Sequence, residues 1–335
     1  MSTNSNKKKV AFCTGISGQD GSYLSEYLLS MGYEVHGIVR RNSVSENQLS
    51  RLNPIIDKIH VRYGDLLDQT SIEKLLSEIN PDEIYNLAAQ SHVQVSFEVP
   101  QYTIQTNSIG VVNMLESYKR ICPKSKFYQA SSSEMFGLGV DDDGYQRETT
   151  IMNPVSPYGC SKVFSYNMVR HYRRAYNLFA VNGILFNHES PRRGSTFVTN
   201  KVVKEACLIK LGKSNKLELG NMDSYRDWGH SKDYVKAMYQ IMQSDTPDDF
   251  VVSTGETHTV RDMCKVVFSY LNLDPEKYIV QNPKYMRPEE LPYLRGDCSK
   301  IKSILKWEPT YTFETMLHEM CDHWMDTLQG KQSYR

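Results

Sequence analysis

The sequence lacks an excess of charge of either sign. It has 39 Lys and Arg against 39 Asp and Glu among 335 residues, so its formal net charge is zero. No overall field favours nucleic acid or an anionic membrane, and an anionic ligand must be held by local groups. The charge balance therefore predicts a protein without a nucleic-acid partner.

Paired cysteines are also missing. The seven cysteines are odd in number and scattered, and none forms a C-x-x-C pair. This pattern argues against a disulfide framework and against a zinc site. We predict a reducing, cytoplasmic location and no metal site.

Long apolar runs are absent as well. The run at 10–13 is too short for the core of a signal peptide, and no stretch approaches the roughly 18 to 20 apolar residues of a membrane helix. We predict no membrane partner. Because 40% of the residues are hydrophobic, the chain can still bury a full core.

What the sequence does have is an alternation of strand-like and helix-like segments. The predicted strands are 9–14, 34–39, 59–63, 83–88, 126–130 and 178–186, and the predicted helices between them are 23–31, 71–79, 102–120 and 158–176. Alternation of this kind predicts an α/β fold with a Rossmann-type doubly wound parallel sheet.

The alternation loosens after residue 187. Helices are predicted at 197–211, 231–243, 260–271 and 312–328, among short strands and proline-bearing loops. We therefore predict a cofactor-binding domain over 8–186 and a smaller, discontinuous C-terminal substrate-binding lobe over 187–330, with some segments returning to the first domain.

Three glycines, Gly15, Gly18 and Gly21, follow the first predicted strand and open the first predicted helix. Glycine lets the backbone approach a pyrophosphate, and a helix amino end offers free N–H groups. The spacing is one residue longer than the common dinucleotide fingerprint, so alone it also fits an ordinary tight turn. Its placement favours a dinucleotide site.

The end of the second strand carries Arg40, Asn42 and Ser43, where NAD-binding proteins have an acid. A guanidinium can grip phosphate oxygens in a bidentate way, so this set favours the 2′-phosphate of NADP. A solvated basic loop is the alternative. Asp65, after the third strand, is placed either to meet adenine or to cap a helix.

Tyr158 and Lys162 lie four residues apart, on one face of a predicted helix. A nearby ammonium and a positive nicotinamide ring both favour the phenolate, which could deprotonate a sugar hydroxyl. Ser132 and Glu134 follow the strand before this helix, at the edge where such enzymes expose catalytic groups. Turn chemistry is the alternative for both, and for Ser131 it is the preferred one.

Together these motifs resemble the extended short-chain dehydrogenase/reductase family over about residues 8–325. Within it, an acid after the serine run is typical of 4,6-dehydratases, because a carboxylate is needed to remove the C5 proton once C4 is a ketone. Four longer stretches, 15–24, 35–43, 84–93 and 180–194, resemble the GDP-mannose 4,6-dehydratase family.

That resemblance implies conversion of GDP-mannose to GDP-4-keto-6-deoxymannose, with NADP as cofactor and a homo-oligomer, tetramer or dimer. It implies catalytic roles for Ser132, Glu134, Tyr158 and Lys162. The implied cofactor contacts are Gly15, Ser17, Gly18, Gln19, Asp20, Gly21, Arg40, Asn42, Ser43, Asp65, Leu66, Leu87, Ala89, Gln90, Ser91, Tyr102, Tyr158, Lys162, His188 and Arg193. The implied GDP-sugar contacts are Asn187, Val198, Lys201, Arg226, Arg287 and Glu290.

Three alternatives stay open at this point. One is a bifunctional dehydratase and 4-ketoreductase that makes a GDP-6-deoxyhexose such as GDP-rhamnose, because product and reduced cofactor share one pocket. Another is a nucleotide-sugar 4-epimerase, which would leave C6 hydroxylated. The third is a non-catalytic NADP or nucleotide-sugar sensor, against which Tyr158, Lys162 and Glu134 argue.

Overall fold

The structure, a computed structural model, describes residues 8–41 and 48–331. The strands are β1 Val10–Thr14, β2 Glu34–Val39, β3 His60–Tyr63, β4 Glu83–Asn86, β5 Lys126–Ser132, β6 Ala180–Leu185, β7 Asn187–Glu189, β8 Leu217–Leu219, β9 Tyr225–Arg226, β10 Trp228–His230, β11 Asp249–Val252, β12 His258–Thr259 and β13 Ile279–Gln281.

The α-helices are α1 Gln19–Ser30, α2 Gln69–Ile79, α3 Val93–Glu98, α4 Pro100–Ile104, α5 Gly110–Ile121, α6 Pro157–Tyr176, α7 Val198–Lys210, α8 Ser231–Gln243, α9 Val260–Tyr270, α10 Ser299–Leu305 and α11 Phe313–Leu328. A π-helical turn, Gln105–Ile109, joins α4 to α5. Short 3-10 helices cover Ser50–Lys58, Ser133–Met135, Pro275–Lys277 and Pro283–Tyr285.

Seven strands form one parallel sheet in the order β11-β6-β5-β4-β1-β2-β3. The first six follow the 3-2-1-4-5-6 order of a doubly wound dinucleotide-binding sheet, so the predicted fold is confirmed. The strand order reverses between β1 and β4. In such sheets ligands bind in the crevice beyond the carboxyl ends of the strands at this reversal.

Apolar side chains cover both faces of the sheet. One core packs Leu24 and Leu28 of α1 with Tyr234 and Met238 of α8. The other core draws on α2, α5 and α6, with Met114 at its centre. Because both faces are covered, every residue of β1 is buried. The sheet is therefore a rigid base for the loops at its carboxyl edge.

The chain after residue 187 is divided between two places. Helices α7, α9 and α11 form a separate apolar core, which includes Val203, Val267 and Met316. In contrast, α8 packs against α1, and β11 pairs with β6 as the last strand of the sheet. The chain after residue 187 therefore contributes one strand to the Rossmann sheet and one helix packed on it.

The helices differ from the predicted ones in three places. The predicted helix 102–120 consists of α4, the π-helical turn and α5 in succession. Helices α3 and α10 were not predicted, because six or seven residues are too few to show a helical period.

Cys160 on α6 is exposed, and the other six cysteines are buried. Within the described ranges no helix is long and apolar enough to cross a bilayer.

Candidate active site

The glycine turn brings the amino end of α1 against the sheet. Gly15 has a positive φ of 66°, and a Cβ there would lie 2.9 Å from the backbone N of Ala88. A Cβ on Gly21 would lie 2.3 Å from the carbonyl oxygen of Gly15, whereas one on Gly18 would meet that oxygen at 3.1 Å. Gly15 and Gly21 are therefore required by packing, and Gly18 is the glycine that leaves room beside the cavity.

The amino end of α1 fits a bound anion. Gly18 is the N-cap residue, and no side chain caps the helix there in the described structure. The first-turn N–H groups of a helix have no intrahelical partner, and their dipoles favour a negative charge. A pyrophosphate at this turn would supply the acceptors that a capping side chain does not.

His188 on β7 ties the C-terminal lobe to this turn. Its Nε2 lies 2.8 Å from Oδ2 of Asp20, and its Nδ1 lies 2.7 Å from the carbonyl oxygen of Phe186. Burial opposes the charged ring, but the charge of Asp20 and its hydrogen bond outweigh burial and raise the pKa of His188. Both ring nitrogens of His188 are thus engaged, and its contact with Asp20 joins β7 to α1.

The end of β5 and the first turn of α6 place the catalytic candidates together. Ser132 ends β5, and its hydroxyl accepts the backbone N–H of Glu134 at 3.2 Å in the turn after the strand. Ser156 caps α6 by accepting the N–H of Gly159, which puts Tyr158 in the first turn of that helix. Little of these side chains is accessible to solvent: the exposed fractions are 9% for Ser132, 8% for Glu134 and 8% for Tyr158.

The phenol of Tyr158 is less acidic than that of an ordinary tyrosine. Burial raises its pKa to about 12, while a hydrogen bond from Ser132 and the charge of Arg193 act in the opposite direction. The protein groups alone therefore keep Tyr158 protonated at neutral pH. A positive nicotinamide ring beside the phenol would favour the phenolate, as the sequence analysis expected.

Lys162 lies one helical turn further along α6. Its Nζ donates to the carbonyl oxygen of Ala130 at 2.9 Å and lies 5.7 Å from the ring centroid of Tyr158. Burial lowers the pKa of this lysine to about 8. The ammonium is thus anchored to the end of β5, close to the phenol, at a large desolvation cost.

Cations from separate segments also line the cavity. Arg226 on β9 is 7% exposed, and Oε1 of Glu290 lies 3.3 Å from it and 3.4 Å from Arg287. Burial lowers the pKa of Arg226, although Glu134 and Glu290 favour its charge. Lys201 on α7 lies 3.6 Å from the ring centroid of Tyr285. Arg226 and Arg287, both oriented by Glu290, can donate hydrogen bonds to a diphosphate.

A single cavity of about 910 Å³ joins these groups. Its volume is at the upper end of the range for ligand pockets. All the described candidate residues line it except Gln90. The side chain of Gln90 instead accepts the N–H of His92 at 2.6 Å and donates to Thr103. Asn42 and Ser43 lie outside the described residues.

The candidate cofactor residues at the ends of β2 and β3 also border the cavity. Arg40 donates to the hydroxyl of Tyr102 and lies over its ring. Asp65 accepts the backbone N–H of Leu67 at 3.0 Å, so it shapes the turn after β3 as well as lining the cavity. Glu34 is at the other end of β2, which leaves Arg40 without a competing acid on that strand.

The lining residues that the sequence did not indicate include Arg51 and Tyr285. Arg51 donates from Nε to the carbonyl oxygen of Arg192 at 2.8 Å and from Nη1 to that of Ser17 at 3.3 Å. Tyr285 belongs to a one-turn 3-10 helix that packs on Lys201. Both are in 3-10 helices, where neither period nor motif indicated a role.

Comparison with solved structures defines the class of fold. UDP-glucose 4-epimerase from Thermotoga maritima matches with a TM-score of 0.84 at 24% identity, over 95% of this chain and 99% of that one. The dTDP-glucose 4,6-dehydratase from Bacillus anthracis matches with a TM-score of 0.82 at 22% identity, over 96% and 98%. The fold is that of nucleotide-sugar epimerases and dehydratases.

Sequence comparison defines the family. The model of the GDP-mannose 4,6 dehydratase family matches residues 12–320. The chain is 45% identical to GDP-mannose 4,6 dehydratase of Cricetulus griseus, over 93% of this chain and 90% of that one. It is 44% identical to that of Yersinia enterocolitica, over 97% and 95%. The chain belongs to the GDP-mannose 4,6-dehydratase family.

Proposed function

We propose that this protein converts GDP-mannose to GDP-4-keto-6-deoxymannose and water, with NADP as its cofactor. One observation carries the proposal: the glycine turn, the pair Tyr158 and Lys162, the acid Glu134 and the arginine pair all border one cavity. A dehydratase of this kind needs three things close to one sugar: a cofactor, groups that transfer protons, and cations that bind the diphosphate. The family of the chain supports the same substrate.

The catalytic candidates divide the proton transfers between them. Tyr158, hydrogen-bonded to Ser132, takes the proton of the C4 hydroxyl, and Lys162 stabilises the phenolate. A bound nicotinamide would supply the hydride acceptor for C4 and the hydride donor for C6. Glu134 removes the C5 proton, made acidic by the C4 ketone, and protonates the departing C6 hydroxyl. Saturation of the C5–C6 bond also needs a proton at C5, which balances the proton that Tyr158 took from the C4 hydroxyl, so the net change is loss of one water.

The residues around the glycine turn support NADP in particular. Arg40 borders the cavity at the end of β2, and Arg51 reaches the same turn through Ser17. Guanidinium groups suit the 2′-phosphate that distinguishes NADP from NAD. The cofactor is regenerated in each turnover, so it can stay bound throughout.

We assign cofactor binding to residues 8–186. We assign binding of the GDP-sugar mainly to residues 187–330. Arg226, Arg287 and Glu290 belong to the second segment and line the same cavity as the glycine turn. A homo-oligomer and a cytoplasmic location, both expected from the sequence, stay predictions.

The replacement Glu134→Gln tests the proposed elimination step. We expect water loss from GDP-mannose, measured by mass spectrometry, to slow by about 10² to 10⁴ because the acid/base group is gone. Oxidation at C4 should continue, so absorbance of the reduced nicotinamide should rise and persist. Tyr158→Phe should abolish both signals.

Water loss at full speed in Glu134→Gln would contradict the proposal. Incubation of the unaltered protein with GDP-glucose and dTDP-glucose supplies the comparison for substrate. We expect loss of one water from GDP-mannose and little from the other two, because the diphosphate is common to all and only the base and sugar differ.

A further inference from the structure

Three side chains with metal-binding atoms meet on the sheet outside the cavity. They are Glu34, His36 and His60, and one ligand atom from each lies within 4.8 Å of the others. Glu34 and His36 are two residues apart on β2, so they share a face of the sheet. His60 is the register partner of His36 on β3. Regular strand pairing alone therefore brings the three together.

The spacing of the ligand atoms suits a small dication. Oε1 of Glu34 lies 2.7 Å from Nε2 of His36 and 3.7 Å from Nε2 of His60. Atoms bound tetrahedrally to Zn²⁺ at about 2.0–2.2 Å lie about 3.3–3.5 Å from one another. The imidazole rings of His36 and His60 are stacked, with centroids 4.5 Å apart, so one ring must rotate before both Nε2 atoms can face one ion. The side chains of Glu34 and His60 are 44% and 58% exposed, which gives both of them room to reorient.

The protons and charges around the cluster permit such an ion. His36 Nδ1 is buried, without a hydrogen-bond partner among the described residues. A neutral His36 can therefore carry its proton on Nδ1, which leaves the lone pair of Nε2 available to an ion. Arg62, two residues after His60, is a nearby cation, but it pairs with Glu78 at 2.5 Å, which reduces its repulsion. Lys8 is a further cation near Glu34.

We propose that Glu34, His36 and His60 bind one transition-metal cation of the Zn²⁺ class, with water completing its coordination. Two imidazoles and one carboxylate select such ions over Mg²⁺ and Ca²⁺, which prefer oxygen ligands. The ion would link β2 to β3, the edge strand of the sheet. Glu34 begins β2 and Arg40 lies just past its other end, so the ion lies away from the cavity and serves stability.

Calorimetric titration of tag-free, chelator-treated protein with Zn²⁺ tests the site. We expect one ion per chain, no binding heat with Mg²⁺ and a higher Tm with Zn²⁺. His60→Gln and Glu34→Gln should each weaken binding by about tenfold or more, since even loss of an outer-shell partner costs about that much. His171→Gln, at an exposed histidine on α6, is the matched control and should bind normally.

Equal Zn²⁺ affinity in His60→Gln and the unaltered protein would overturn the proposal, as would the absence of binding at one ion per chain. Because His60 is half exposed, its loss should leave the metal-free Tm nearly unchanged, and this is measured alongside. The titration does not depend on turnover. Failure of the metal site is therefore distinguishable from failure of the proposed dehydratase activity.

Discussion

At the scale of single residues, the site contains a charged lysine whose burial costs free energy of folding. Lys162 is 4% exposed, and its ammonium donates to one backbone carbonyl, that of Ala130. A buried cation without a carboxylate partner destabilises the fold, since its desolvation is repaid only in part. Such a group is retained at a functional site because it assists chemistry there.

Lys162→Met should therefore stabilise the cofactor-free protein at pH 7 while removing its activity. The pKa of Lys162 is about 8 against an ordinary 10.5, a difference of about 3 kcal/mol at about 1.4 kcal/mol per pKa unit. Loss of the hydrogen bond to Ala130 offsets part of this, so we expect a net gain of about 2 kcal/mol. Thermal unfolding measures it.

The pH dependence of this gain has a definite sign. The folded state disfavours the charged lysine, so its penalty is fully present below pH 8 and fades as the pH rises from about 8 to 10.5. The difference in Tm between Lys162→Met and the unaltered protein should shrink over that range. A difference that grows with pH would contradict the assignment.

At the scale of elements, the three glycines of the first turn have separate tasks. A Cβ on Gly21 would lie 2.3 Å from the carbonyl oxygen of Gly15, so α1 would have to move away from β1. A Cβ on Gly18 would meet only that same oxygen, at 3.1 Å. Gly21 is therefore needed for the packing of α1, and Gly18 is needed for the close approach of a ligand.

Gly21→Ala should destabilise the protein by about 1–3 kcal/mol even without cofactor, as overpacking does. Gly18→Ala should change the free energy of unfolding much less but weaken NADP binding. Denaturant unfolding and fluorescence titration with NADPH measure the two effects. Equal destabilisation by both replacements would show that the division is wrong.

The sheet was predictable because most of its strands are short apolar runs that alternate with helical segments, and all six predicted strands occur. The glycine turn and the helix with Tyr158 are evident from local sequence in the same way. The contact of Arg226 with Glu290 was not, because the two residues are far apart in sequence and meet only through the folding of the C-terminal lobe.

The metal-ligand cluster shows the same limit. The sequence analysis predicted no metal site, on the basis of its cysteines. Glu34 and His36 are neighbours along one strand, but His60 joins them only through the pairing of β2 with β3. Register between parallel strands is set by packing of the whole sheet, so no short motif reports it.

At the scale of the whole molecule, the first 186 residues depend on elements from the C-terminal part of the chain. The last strand of the sheet, β11, comes from Asp249–Val252, and α8 covers the face on which α1 lies. Without these elements, β6 would become an open edge and Leu24 and Leu28 would face water. The cofactor half of the chain is therefore incomplete by itself.

A fragment of residues 1–186 should for this reason lack a cooperative unfolding transition. We expect rapid proteolysis and weak near-ultraviolet circular dichroism compared with the full chain, because much of the apolar core is left uncovered. Thermal scans of fragment and full chain, run side by side, measure this. A sharp transition in the fragment would show that the sheet closes without β11.

The exposed thiol of Cys160 gives the protein a practical property. It is the one solvent-facing cysteine in the part of the chain that the structure describes, and it lies between Tyr158 and Lys162 on α6. Maleimide dyes react with accessible thiols and spare buried ones. A fluorophore attached there would sit on the outer side of the catalytic helix and could report ligand arrival in real time.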